Sequence, residues 1–162
     1  ITYSEQMRLA VGGKTLHLMH RPGSAPGATW VEIPEAEAVF LGDAAALKSP
    51  PFLAEADLEV WVAALGECRK KKTEGRVVVP GRGGLTNKPA LKPAEDFLKL
   101  VRRRLEPFNK GKKGRADLEK VAAELVERFP ANADLRDHYL RRLAYGLEAQ
   151  FDAQILATAQ RS

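Results

Sequence analysis

Three short turns carry the residue types best suited to chemistry: His20-Arg21-Pro22-Gly23, Leu41-Gly42-Asp43 and Val79-Pro80-Gly81-Arg82-Gly83-Gly84. Each follows or ends a run that reads as a buried strand. α/β proteins place binding and catalytic groups on such turns, because a rigid sheet aims loop side chains at one point. An imidazole at His20 and a carboxylate at Asp43 look like part of a metal site for zinc, manganese or iron. The third turn offers Arg82. A guanidinium stays protonated and has no lone pair to give, so it cannot be a ligand. It can pair with Asp43, filling the space a cation would take, or hold a carboxylate or phosphate. Plainer readings stand beside these. A lone His at a strand end is often a hydrogen-bonded structural residue, and Gly42-Asp43 is otherwise a turn in which Asp bonds nearby amides. Gly81, Gly83 and Gly84 permit tight backbone geometry; a phosphate cradle would normally bring a Gly-Lys-Ser/Thr signature, which does not follow them.

These turns need strands to hold them. Residues 5–20 read as a β-hairpin: Met7, Leu9 and Val11 alternate with polar or small residues, Leu16, Leu18 and His20 alternate after them, and Gly12-Gly13 suits the tight turn between. Residues 28–33 and 38–42 are two further strands, the second apolar on both faces as a central strand should be. The segment from Ala44 to Phe52 carries Pro50-Pro51 and reads as a loop. Residues 55–71 look helical, with Leu58, Trp61, Val62, Leu65 and Cys68 at helical spacing, and Arg76 to Val79 is a short buried strand. Strand, helix, strand implies a crossover and parallel pairing. Beyond Asn87 the pattern is helical throughout. One helix begins near Pro93 with Phe97, Val101 and Leu105, a second spans about 115–129, and a third runs from about Asp134 to Ala157. The linker Asn109 to Gly114 divides an α/β portion, residues 1–108, from a helical tail, residues 109–162.

Composition narrows the class. The chain has 162 residues, 44% hydrophobic and 29% charged, an ordinary globular balance. No apolar run is long enough to span a bilayer, so no membrane partner is expected. Cys68 is the only cysteine, which excludes an intramolecular disulfide and suggests a reducing, cytoplasmic setting. The net charge of +5 comes from clusters at Arg69 to Lys72, Arg102 to Arg104 and Lys110 to Arg115. Without interleaved aromatics these read as solvated helix ends and loops, and nucleic acid is not an expected partner. The chain begins at Ile1 and runs straight into strand-like sequence, which suggests a fragment or processed product.

The stretch from Ile1 to about Leu105 resembles the C-terminal half of a metallo-β-lactamase fold hydrolase. The resemblance rests on the hairpin leading to His20-Arg21-Pro22-Gly23, the strand pair ending in Gly42-Asp43, the Trp61 helix and Pro80-Gly81-Arg82-Gly83-Gly84. It rests also on their spacing, 23 positions from His20 to Asp43 and 39 from Asp43 to Arg82. It implies an αββα sandwich of which this chain is one half, a mixed sheet with flanking helices, followed by a helical tail. It further implies His20 and Asp43 as metal ligands, with Asp43 bridging and catalytic. Arg82 stands where the family has its last His, and becomes a charge element of the pocket. The family's His-x-His-x-Asp-His motif is absent, because His17, His20 and His138 are the only histidines. His20 is flanked by Met19 and Arg21 where Gly and Thr are usual.

The resemblance therefore implies a degenerate site with one ion (zinc, manganese or iron) or none. The complete protein would be a metal-dependent hydrolase of an ester, thioester or phosphoester with a small anionic substrate, and this chain alone is expected to be inactive. An isolated half would leave one apolar sheet face uncovered, so the missing N-terminal half, or another copy in a homo-oligomer, is expected as partner. Two alternatives remain open: a non-catalytic binding or assembly module on the same scaffold, and an RNA-processing relative.

Overall fold

In the computed structural model, residues 2–70 and 77–160 are described. Five strands form one sheet in sequence order: β1 (Gln6–Val11), β2 (Lys14–His20), β3 (Thr29–Ile33), β4 (Ala38–Ala46) and β5 (Val77–Arg82). Four helices accompany it: α1 (Leu58–Lys70), α2 (Lys92–Asn109), α3 (Leu118–Val126) and α4 (Ala133–Ala159). β1 to β4 are joined antiparallel, and β5 pairs with β4 in parallel after the α1 crossover. The expected hairpin is present, turning at Gly12 and Gly13 with φ of 56° and 74°. Lys71, Lys72 and Arg76, which the sequence reading placed in a basic cluster, a helix end and a strand start, lie outside the described residues.

Two boundaries need correction: β5 runs on to Arg82, through residues read as a turn, and β4 is longer than expected. Ala44 to Ala46 are not loop: they continue β4, with Ala46 opposite Arg82. Their small side chains carry no β-branched signal, and the ladder shifts register on both sides of Gly42. A bulge of that kind bends a strand and re-aims it, which explains why the sequence alternation stops there while pairing goes on.

The two faces of the sheet have different fates. Trp30, Val39, Leu41 and Val78 point to one face and are buried against α1 and α2, where Trp61, Val62, Leu65, Leu98 and Val101 meet them in a single apolar cluster. Asp57 caps α1, its Oδ1 accepting from the amides of Glu59 (3.1 Å) and Val60 (3.0 Å). The indole Nε1–H of Trp61 donates to the carbonyl of Ala44 at 2.9 Å, tying α1 to the far end of β4. α3 and α4 extend the same cluster through Leu125, Leu143 and Leu147.

The opposite face is also apolar. The register places Met7 beside Leu18, Leu18 beside Val31, Val31 beside Phe40 and Phe40 beside Val79. None of these five residues is buried, and Phe40 is 39% exposed. No described helix lies on this face.

Glu95 is the buried carboxylate of α2, bonded by Arg69 Nε of α1 at 2.7 Å and by Lys99 Nζ one turn on. Burial pushes its pKa up, but the bonds and charges of Lys99 and Arg69 together outweigh burial and hold it below the usual carboxylate value. A depressed folded-state pKa stabilises the fold above the unfolded carboxylate range, and that stabilisation is lost as pH falls through the folded value. Glu95→Gln is expected to cost about 1–3 kcal/mol at neutral pH, since hydrogen bonds to charged groups are worth that much, and to flatten the acid limb of stability. Urea unfolding at pH 7 and pH 4 measures both effects.

Candidate functional site

β2, β4 and β5 run in the same direction, so their C-terminal ends share one edge of the sheet. The three candidate residues gather there. His20 ends β2, Asp43 follows the bulge in β4, and Arg82 ends β5. The spacing across that edge is uneven. Asp43 and Arg82 sit on adjacent strands, whereas His20 is separated from β4 by β3, roughly 10 Å of sheet at about 4.8 Å per strand.

Backbone packing dictates the turn carrying Arg82. A Cβ built on Gly81 would lie 2.7 Å from the carbonyl carbon and oxygen of Gly42 and 3.0 Å from the amide of Asp43. Two backbones cross here with no room for a methyl group, so Gly81 serves close approach. The amide of Leu47 then donates to the carbonyl of Arg82 at 3.2 Å, closing the edge.

The side chains do not converge on one point. His20 turns back over its own loop, its Nε2 lying 2.7 Å from the carbonyl oxygen of Pro26. A carbonyl only accepts, so Nε2 is the donor in this contact. Asp43 and Arg82 are both exposed and make no direct ion pair among the described residues.

A residue missed by sequence reasoning feels the charge of both. Arg142 of α4 is half-buried, its Nε donates to the carbonyl of Pro50 at 3.1 Å, and its guanidinium lies 5.1 Å from the centre of the Phe52 ring. Burial and the neighbouring charge of Arg82 hold Arg142 below the ordinary arginine value, while Asp43 acts in the opposite sense. Both edge residues are thus within its electrostatic reach. Nothing in the tail sequence marks Arg142 apart from its neighbour Arg141; only the fold brings it here.

α4 also fixes the loop after β4. Tyr139 Oη bonds the carbonyl of Lys48 (3.4 Å), and Gln150 Nε2 bonds those of Leu53 (2.7 Å) and Ala56 (2.8 Å). Gly146 lies so close that a Cβ on it would meet the Cβ of Leu53 at 2.8 Å. Side chains from the tail satisfy carbonyls that have no sheet partner.

The resemblance implies a metal centre, and the donors present test it. Among the described residues no group of three or more His, Cys, Asp or Glu gathers to hold an ion. His20 Nε2 is engaged by the Pro26 carbonyl, and Arg142 feels the charges of both Asp43 and Arg82. These residues by themselves do not fit a resident ion.

The comparisons with known proteins bear on the fold. No protein-family profile matches the sequence, and no curated protein matches it. Solved structures do match. A metallo-β-lactamase from Pontibacter korlensis superposes with a TM-score of 0.54 at 24% identity, over 60% of this chain and 47% of that one. DIM-1 metallo-β-lactamase gives 0.52 at 20% identity over 60% and 47%, and TMB-1 gives 0.53 at 21% over 62% and 47%. The five-stranded mixed sheet with its flanking helices is therefore part of a metallo-β-lactamase fold, and the match spans about half the length of each of those proteins.

Gly81→Ala is expected to destabilise the chain by about 1–3 kcal/mol, the cost of forcing a methyl group into a packed contact. It should also shift the amide resonances of Gly42 and Asp43. Thermal unfolding and a ¹H–¹⁵N correlation spectrum check both.

Proposed function

We propose that this chain is the second half of a metallo-β-lactamase-fold hydrolase, that a further α/β half covers its open sheet face, and that the chain alone turns over no substrate. The observation that carries the reading is the uncovered apolar face running from Met7 through Leu18, Val31 and Phe40 to Val79. Contiguous apolar patches of that kind are rare on soluble monomers and mark interaction surfaces. The structural matches support the choice of cover, because each neighbour has as much fold again beyond the shared part.

In this reading the edge site receives an anionic group of the substrate. Arg82 and Arg142 outnumber Asp43 in charge, so the cluster has one guanidinium to spare for a carboxylate or phosphate. In the complete enzyme His20 and Asp43 would be this chain's contributions to holding a metal, which would need further ligands from outside the described residues and would supply activation of water. His20 would have to release Pro26 or bind through Nδ1.

A second reading has its own support. The His20–Pro26 bond and the guanidinium at position 82 both favour a non-catalytic binding or assembly module on the same scaffold.

The two separate experimentally. The purified chain should bind the hydrophobic dye ANS, and Val31→Lys with Phe40→Lys should abolish that binding while leaving helical circular dichroism unchanged. Inorganic phosphate should perturb the Arg82 and Arg142 side-chain resonances, and Arg82→Gln should weaken this roughly tenfold, as expected for loss of one charge-assisted contact. Metal analysis should find less than one ion per chain. Hydrolysis of thioester and phosphodiester substrates by the longest natural form, lost in His20→Ala and Asp43→Ala, supports the hydrolase; hydrolysis surviving both variants removes those roles. A longest natural form that also lacks turnover favours the binding module.

A further inference from the structure

A cavity of about 530 Å³ lies on the helix-covered side of the sheet and is bordered at one end by Ala44, Ala46 and Leu47 at the end of β4. That volume is within the range of small-molecule sites, roughly 300–1,000 Å³. Its apolar wall is formed by Trp61 of α1, Phe97 and Leu98 of α2, and Phe129 just beyond α3. Phe97 and Phe129 pack edge to face, their ring centres 4.8 Å apart. Such a pair fixes the wall, since edge-to-face contact is a preferred aromatic geometry.

The polar lining is of one dominant sign. Arg103 and Arg128 line the cavity and are exposed, so they stand at its opening. Neither makes an ion pair among the described residues. Both act at longer range on Glu124, whose carboxylate is already held by Arg104 through Nε at 2.9 Å to each oxygen. Asp96 is the one acid in the lining, and Lys92 neutralises it. An apolar interior with two uncommitted guanidinium groups at its mouth complements a ligand with an apolar body and an anionic head.

We infer that this cavity, formed by α1, α2 and the end of α3, is a binding site for an amphipathic carboxylate of the fatty-acid class, its chain against Trp61, Phe97 and Phe129 and its head group on Arg103 and Arg128. None of His20, Asp43 and Arg82 lines this cavity, although it reaches the end of β4 at Ala44, Ala46 and Leu47, and the assignment does not rest on any hydrolytic role.

The probe is dodecanoate below its micelle concentration, titrated into the purified chain by calorimetry and by tryptophan emission, since Trp61 lines the cavity. Saturable one-to-one binding with a change in emission is expected. Arg103→Gln with Arg128→Gln should weaken dodecanoate roughly tenfold or more, as expected for lost charge-assisted contacts, and leave dodecanol unchanged. Ala94→Leu, which narrows the same cavity, should weaken both ligands. The open sheet face is a competing apolar surface, so Val31→Lys with Phe40→Lys is run beside them and should leave binding intact. Absence of saturable binding, indifference to the arginine pair, or loss in the Val31→Lys, Phe40→Lys variant would each overturn the assignment. The arginine substitutions lie on exposed side chains and keep the test decisive even if Ala94→Leu fails to fold.

Discussion

The structure depends on a sheet that is apolar on both sides and covered on one. A strand with Val39 and Leu41 turned one way and Phe40 turned the other is a central strand in composition. α1 and α2 remove the first face from water, and the hydrophobic stabilisation of the chain is concentrated there. The second face is built from the same kinds of residue and has no such cover. One layer of the sheet is complete and the other is not.

The edge site inherits its form from the same strands. The parallel pairing of β4 and β5 sets the Asp43 and Arg82 ends side by side, and the Gly81 crossing brings their backbones into contact. β3 intervenes between β4 and β2, so His20 lies further off and satisfies its ring on Pro26. The result is a sheet edge where an acid and a guanidinium group both act electrostatically on Arg142.

Much of the fold could be read from the residues. Alternation from Met7 to Leu18 and the Gly12-Gly13 turn identify the hairpin, and the spacing of Leu58, Trp61, Val62, Leu65 and Cys68 identifies the crossover helix. The end of β4 was hidden, because alanines lack strand preference and the bulge at Gly42 breaks the alternation. The chain positions of His20, Asp43 and Arg82 were visible, along with their common edge. Arg142 was not. Its approach depends on how α4 lies across the 48–56 loop, a tertiary relation that local periodicity does not encode. The direction in which the His20 ring points was equally hidden, since it depends on one carbonyl in a following loop.

The bonds from α4 to that loop have a consequence for the order of assembly. Tyr139, Arg142 and Gln150 reach partners 91 to 97 positions earlier in the chain. Contacts so distant in sequence form late, because the intervening chain must be ordered first. On the ribosome, β1 to β4 and α1 can take shape as they emerge, while Lys48 to Ala56 must wait for a segment not yet translated. A segment translated well after the loop is the one that sets the rim of the candidate site.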